Sequence, residues 1–141
     1  MDVRRSLEPY FSSDTAYPGT RSEIASAGHC AIVSAIAALT VGGGLARTKV
    51  NGVSHWFNRL SDGKQVWDVD LTGDQFDLPV TQVAPAGKLY RASENESLAA
   101  LNVETLRRAL ILATRGGMTD AAAQLRELLA TRQADALEVH H

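Results

Sequence analysis

The chain has 141 residues, 45% of them hydrophobic and 21% charged, with a formal net charge of −2. That length suits one domain around one core, and the composition is ordinary for a globular protein. There is no basic run to bind nucleic acid and no run apolar enough for a membrane-spanning helix, and a single cysteine excludes an internal disulfide, which fits a reducing cytoplasm.

In chain order, the first eight residues carry charges with no apolar segment behind them, so they do not read as a signal peptide. Val3 and Leu7 fall on one side of a short helix, and Pro9 marks its end. Ser12 to Ile24 is polar and broken by Pro18-Gly19, which predicts a loop able to pass near the cysteine and shape a cleft. Ile32, Val33, Ile36 and Leu39 recur at helical spacing, so a buried helix is expected from about Cys30 until Gly42-Gly43-Gly44 stops it. Leu45 to Val50 reads as a strand, and Asn51-Gly52 as a tight turn out of it.

The next stretch can be laid out residue by residue. Ser54 to Ser61 is rich in aromatic residues, Asp62-Gly63 follows, and Lys64 to Asp70 is again strand-like. Asp-Gly between two such runs signals a two-residue hairpin turn. A turn of that length sets Ser61 opposite Lys64, Leu60 opposite Gln65, Asn58 opposite Trp67 and His55 opposite Asp70. Opposed residues share a face, so an imidazole and a carboxylate are predicted side by side. Trp56, Leu60, Trp67 and Val69 share the other face, taken as core. Asp68 also lies on the His55 face and is the second choice as its orienting acid, though it equally suits a surface pairing with Arg59.

Beyond Asp70, the run Leu71 to Phe76 reads as a turn or short helical piece, and Val80 to Val83 and Leu89-Tyr90 as weak strands. Val103, Leu106, Leu110 and Ala113 line one helical face, which Gly116-Gly117 ends. Thr119 can cap a second helix whose apolar positions include Ala122, Leu125, Leu128 and Leu129. These predict an antiparallel helical pair that covers the sheet or forms a homodimer surface. Residues 137–141 look like a vector-derived tail, so His140 and His141 are excluded from site reasoning and the domain is taken as residues 1–136. The chain shows no internal repeat, no P-loop and no dinucleotide fingerprint, and no cofactor or metal is expected.

Cys30 at a helix start meets the positive end of the helix dipole and unpaired N–H groups, which stabilise a thiolate and can hold an oxyanion. With His55 as base and Asp70 as orienter it forms a nucleophile–base–orienter set. The blander alternatives are a buried small hydrophobe for Cys30, a half-buried strand histidine for His55 and a turn cap for Asp70. His29, Cys30, His55 and Asp70 are acceptable zinc ligand types, but their spacing matches no structural-zinc motif. The fold expected is α+β, with Cys30 at a helix start, an antiparallel sheet carrying His55 and Asp70, and helices at the C-terminus.

Phe11 to Ala16, Gly28-His29-Cys30, Gly42-Gly43-Gly44, His55 to Leu60, Asp62-Gly63 and Asp70 to Phe76 occur in that order. Over residues 10 to 76 this resembles the little-characterised bacterial YunG family. More distantly, the order and spacing of Cys, His and Asp resemble the transglutaminase-like and NlpC-type branches of the papain-like superfamily. The resemblance implies a papain-like core with Cys30 as nucleophile, His55 as base and Asp70 as orienter. Where the family pattern has a glutamine before the cysteine, this chain has His29, which can donate to an oxyanion in one tautomer. The function expected is cysteine-dependent acyl chemistry on an unidentified peptide, protein or small-molecule amide: hydrolysis, deamidation or transfer. The alternative is a non-catalytic binding module on the same scaffold.

Overall fold

The computed structural model describes residues 2–20, 22 and 24–139, with side chains described to residue 135. The part of the predicted tail beyond that lies outside the described residues. Among the described residues the chain is α+β, with four α-helices and a five-stranded antiparallel sheet.

Helix α1, Val3–Leu7, starts at Asp2, whose carboxylate accepts the Arg5 N–H at 3.0 Å. A 3-10 turn over Glu8–Tyr10 contains Pro9 and ends the segment. The described residues from Ser12 to Ile24 form turns and bends without helix or strand, as their composition predicts. Helix α2, Cys30–Val41, closes on Gly42 and is buried along Ile32, Val33, Ala35, Ile36 and Ala37.

Strands β1, Gly44–Val50, and β2, Val53–Ser61, are joined by the expected Asn51-Gly52 turn. Its two φ angles of 53° and 79° are those of a type I′ hairpin, which Asn-Gly adopts with least strain. Strand β3, Val66–Asp70, pairs with β2, but two residues away from the predicted register. Leu60 faces Trp67, Arg59 faces Asp68 and Asn58 faces Val69. The cause is the connection. Asp62 spans four residues, donating its N–H to the Gln65 carbonyl at 3.0 Å and accepting the Lys64 and Gln65 N–H groups on Oδ1 at 2.8 Å each. An Asx-type turn has replaced the two-residue turn. Since side chains alternate with period two, a shift of two residues leaves every side chain on its predicted face.

Strand β4, Gln82–Pro85, extends the sheet from β3, and β5, Glu94–Glu96, pairs with β1. The order is β4-β3-β2-β1-β5. Val80 to Val83 thus yields part of a strand, whereas Leu89-Tyr90 lies in the turn-rich link between β4 and β5. The burial of β2 and β3 differs from expectation. Trp56, Leu60, Trp67 and Val69 are only partly buried, while His55, Phe57, Asp68 and Asp70 are at most 1% exposed. Tyr90 packs 5.6 Å from the His55 ring and 5.2 Å from Phe57, so the polar face is covered.

Helix α3, Val103–Arg115, is capped by Asn102, whose side-chain Oδ1 accepts the Thr105 N–H at 2.8 Å. Helix α4, Thr119–Val139, follows the stop at Gly116-Gly117. Thr119 is its first residue rather than its cap, and the hydroxyl turns back to the Gly117 carbonyl. The helical pair packs on α2, and α2 packs on β2. The pair therefore does not cover the sheet directly, as the sequence suggested. Leu106, Ala109, Leu112, Ala113, Ala122 and Leu125 join the core of α2, so the apolar faces that suggested a dimer surface are used inside the chain. No helix among the described residues is long and apolar enough to cross a membrane.

Leu112 is wholly buried at the centre of this contact, whereas Leu110 is only half-buried. Leu112→Ala should lower unfolding free energy by about 2–5 kcal/mol in urea titration. A loss under about 1 kcal/mol, the range of peripheral substitutions, would place it outside the core.

Candidate active site

Cys30 is the first residue of α2 and is 9% exposed. The first bond of the helix runs from the Val33 N–H to the His29 carbonyl at 3.0 Å, so the Cys30 N–H has no acceptor within the helix. Just upstream, Gly28 has a φ of +76°, and a Cβ there would lie 2.5 Å from Thr20 Oγ1 and 2.9 Å from the Tyr17 nitrogen. The glycine lets Tyr17 donate its N–H to the Gly28 carbonyl at 2.9 Å and close the polar loop against the helix start.

His55 and Asp70 meet as a fully buried pair, with Nε2 2.7 Å from Oδ2. They are not directly opposed. Extending the β2–β3 register puts Asp70 opposite Phe57, and His55 reaches it diagonally along the same face. Asp70 has two further donors. Its Oδ1 accepts the Thr72 N–H at 2.9 Å, and its Oδ2 accepts the Tyr90 hydroxyl. Asp70 thus caps the following turn and accepts from His55 at the same time.

A carboxylate only accepts, so His55 presents Nε2–H to it and leaves Nδ1 for its other neighbours. Burial opposes charge on the ring, but hydrogen bonds and charge from Asp70 and Cys30 outweigh it and raise His55 to about 9. Tyr90 is pushed well above its usual range by burial and by Asp70, which keeps it a donor. Gln75 Nε2 lies 3.5 Å from Nδ1 and is held by the Thr72 carbonyl at 3.0 Å and hydroxyl at 3.1 Å.

Two supporting residues from the sequence lie elsewhere. His29 is 1% exposed and stacked 4.5 Å from Phe11. Its Nδ1 donates to the Ala27 carbonyl at 3.0 Å, which fixes Nε2 as acceptor from the Thr15 hydroxyl at 2.7 Å. Burial lowers its pKa, and the neutral ring has both nitrogens engaged, so it braces the loop and has no hydrogen left for an oxyanion. Asp68 pairs with Arg59 as anticipated, at 2.7 Å, but not at the surface: it is wholly buried and also accepts the Gly87 N–H at 2.9 Å. Its hydrogen bonds go to Arg59 and Gly87, whereas the His55 ring bonds Asp70.

Because His29 turns away, the zinc-capable residue types do not converge. Among the described residues no group of three or more His, Cys, Asp or Glu side chains could hold a metal ion. Cys30 instead lines a cleft of about 650 Å³ with Tyr17, Trp56, Gln75, Phe76 and Arg108. A larger hollow of about 1030 Å³ runs along Arg47 to Asn51 and Tyr90 to Glu94 and does not reach Cys30. The sequence reading missed Tyr90, Gln75 and Arg108. Gln75 lay within a motif already singled out, whereas Tyr90 and Arg108 carry no local signal.

The raised His55 fixes the sign of a pH effect. The stability it contributes is complete below its ordinary pKa of 6.5 and is lost as pH rises through about 9. Wild-type melting temperature should therefore fall more between pH 7 and 9.5 than that of His55→Gln. Parallel curves would show that the ring gains no proton affinity on folding.

A family model described as YunG protein matches residues 1–113. No curated protein and no solved structure gives a match. The match covers most of the chain and includes every residue of the site, so the chain belongs to the YunG family.

Proposed function

We propose that this chain performs cysteine-dependent acyl chemistry on an amide, on a papain-like or transglutaminase-like arrangement of helix start and antiparallel sheet. The observation that carries the reading is the buried His55–Asp70 pair at 2.7 Å, together with Cys30 at the start of α2, whose thiol helps Asp70 raise the His55 pKa. A buried ion-pairing histidine next to a thiol in a cleft is the arrangement that nucleophilic catalysis needs.

The roles follow from the atoms. The Cys30 thiol gives its proton to His55 Nδ1, the nitrogen not committed to Asp70, before the thiolate attacks the acyl carbon. With His55 raised to about 9, the ring keeps its proton through neutral pH, the state that pairs with a thiolate. The oxyanion of the tetrahedral intermediate accepts from the Cys30 N–H, which has no acceptor within the helix. Collapse breaks the C–N bond, the leaving amine takes the proton from His55, and a thioester remains. Water then gives a hydrolase or deamidase, and an amine gives a transferase, with His55 removing the proton of the acceptor as the thiolate leaves.

Asp70 and Tyr90 position the ring. Asp70→Asn should retain the fold and slow turnover on the order of 10³–10⁴-fold, because an amide can hold the wrong tautomer. Tyr90→Phe removes one donor to Asp70 and should slow labelling less, about tenfold, the weight of one buried hydrogen bond. The measurement is labelling of Cys30 by an acyl electrophile, with melting curves alongside.

Cys30→Ser should keep the fold and abolish that labelling, since a hydroxyl is a far weaker nucleophile in a site built for a thiolate. His55→Ala should flatten the pH dependence of iodoacetamide alkylation. Equal labelling of folded wild type and His55→Ala would reject the catalytic reading in favour of a binding module.

A further inference from the structure

Two arginines are buried near this site, and their partners differ. Arg4, 5% exposed, holds Asp74 through two bonds of 2.9 and 3.0 Å and the Leu71 carbonyl at 2.9 Å. Arg108, 8% exposed, has no such partner. Its Nη2 donates to Thr105 Oγ1 at 3.0 Å, Nη1 reaches the Thr15 carbonyl only at 3.5 Å, and its buried Nε has no hydrogen-bond partner. The guanidinium stacks 5.6 Å from the Tyr17 ring, and among the described residues it forms no salt bridge. Burial lowers Arg108, whereas Arg4 is raised by its acid.

A buried guanidinium without a carboxylate is costly, because arginine stays charged and its donors stay unmet. Arg108 lines the cleft that holds Cys30. The other described cation lining that cleft, Arg47, is already matched by Glu96 at 3.0 Å and Glu94 at 3.9 Å. Among the described residues the cleft therefore has one cation without a salt bridge, on a group whose planar fork suits a carboxylate. Among those residues it has no second such cation, which a phosphate dianion would need.

We infer that the Cys30 cleft recognises a ligand bearing one free carboxylate, which Arg108 holds while the rest of the molecule lies toward the sulfur. Taken with the acyl reading, on which this step to a substrate class rests, the substrate is a small carboxylate-bearing amide. A peptide C-terminus and an amino-acid ω-amide share that chemistry.

Protection of Cys30 from iodoacetamide tests the inference on the full chain without any turnover. The probes are the monoanion butyrate, its uncharged amide butyramide, and inorganic phosphate at matched ionic strength. Butyrate should protect saturably, and butyramide and phosphate much less. Arg108→Gln should raise the butyrate concentration for half protection by about tenfold or more, the loss of a charge-assisted contact, with Arg108→Lys in between. Half protection is independent of the unprotected rate, so an effect of Arg108 on the thiol alone would not move it. Equal protection by butyramide, stronger protection by phosphate, no protection by butyrate, or an unchanged half-protection value in Arg108→Gln would each overturn the inference. If Arg108→Gln does not fold, the three probes on wild type decide it. Separately, acyl labelling of butyrate-free wild type and His55→Ala tests the catalytic reading, so carboxylate protection without His55-dependent labelling would sink that reading and leave the binding site standing. Different peptide and ω-amide substrates of equal charge then separate the two sources.

Discussion

The carboxylate of Asp70 is the constraint on which the site depends. It has no exposure to solvent, and a buried charge is tolerated only when its lone pairs are met. Its donors come from three places in the chain: the Thr72 N–H just beyond β3, the His55 ring on β2 and the Tyr90 hydroxyl from the link between β4 and β5. Satisfying one carboxylate thus ties the end of β3, the neighbouring strand and a distant loop into one arrangement. His55 is oriented as a by-product of that arrangement, and Phe76, 4.9 Å away edge-on, closes another side of its ring.

A second set of contacts seats the helix start against this sheet. Arg4 bridges α1 to Asp74 and to the Leu71 carbonyl, fixing the turn that carries Gln75. Its guanidinium also lies 5.1 Å over Phe11, which stacks on His29. His29 in turn is held by Thr15 and Ala27. Arg115 on α3 grips Asp14 at 2.7 and 3.0 Å and anchors the outer side of the same loop. The residue before the cysteine is therefore part of a brace running from the N-terminal helix to α3. His29 thus has no donor to spare, whereas the Cys30 N–H has no acceptor within α2.

The core and the cleft share one helix. Ile32, Val33 and Ile36 of α2 are buried against the C-terminal pair, while the first turn of α2 opens into the cleft. A rigid helix packed on both sides holds its own N-terminus in place, and so holds the sulfur relative to the sheet. The C-terminal helices matter to the site through this packing and through Arg108, which α3 carries into the cleft wall.

The sequence by itself determined the local elements. Periodic apolar residues and Gly42 set α2 with Cys30 at its start, Asn51-Gly52 set the β1–β2 turn, and alternation put His55 and Asp70 on one face. These depend on neighbours a few residues apart, which is why they were legible. The β2–β3 register was not. Asp62 used its carboxylate to close a four-residue turn, and His55 and Asp70 still share a face because a shift of two preserves it. Tertiary structure alone decided the rest: that His29 and Asp68 are consumed by Thr15 and Arg59, that Tyr90 joins Asp70 across 20 residues, and that Arg108 lines the cleft with its buried Nε unmet among the described residues. Each of these is settled by which buried polar group finds a partner once distant segments have packed, and no residue's own sequence neighbourhood contains that information.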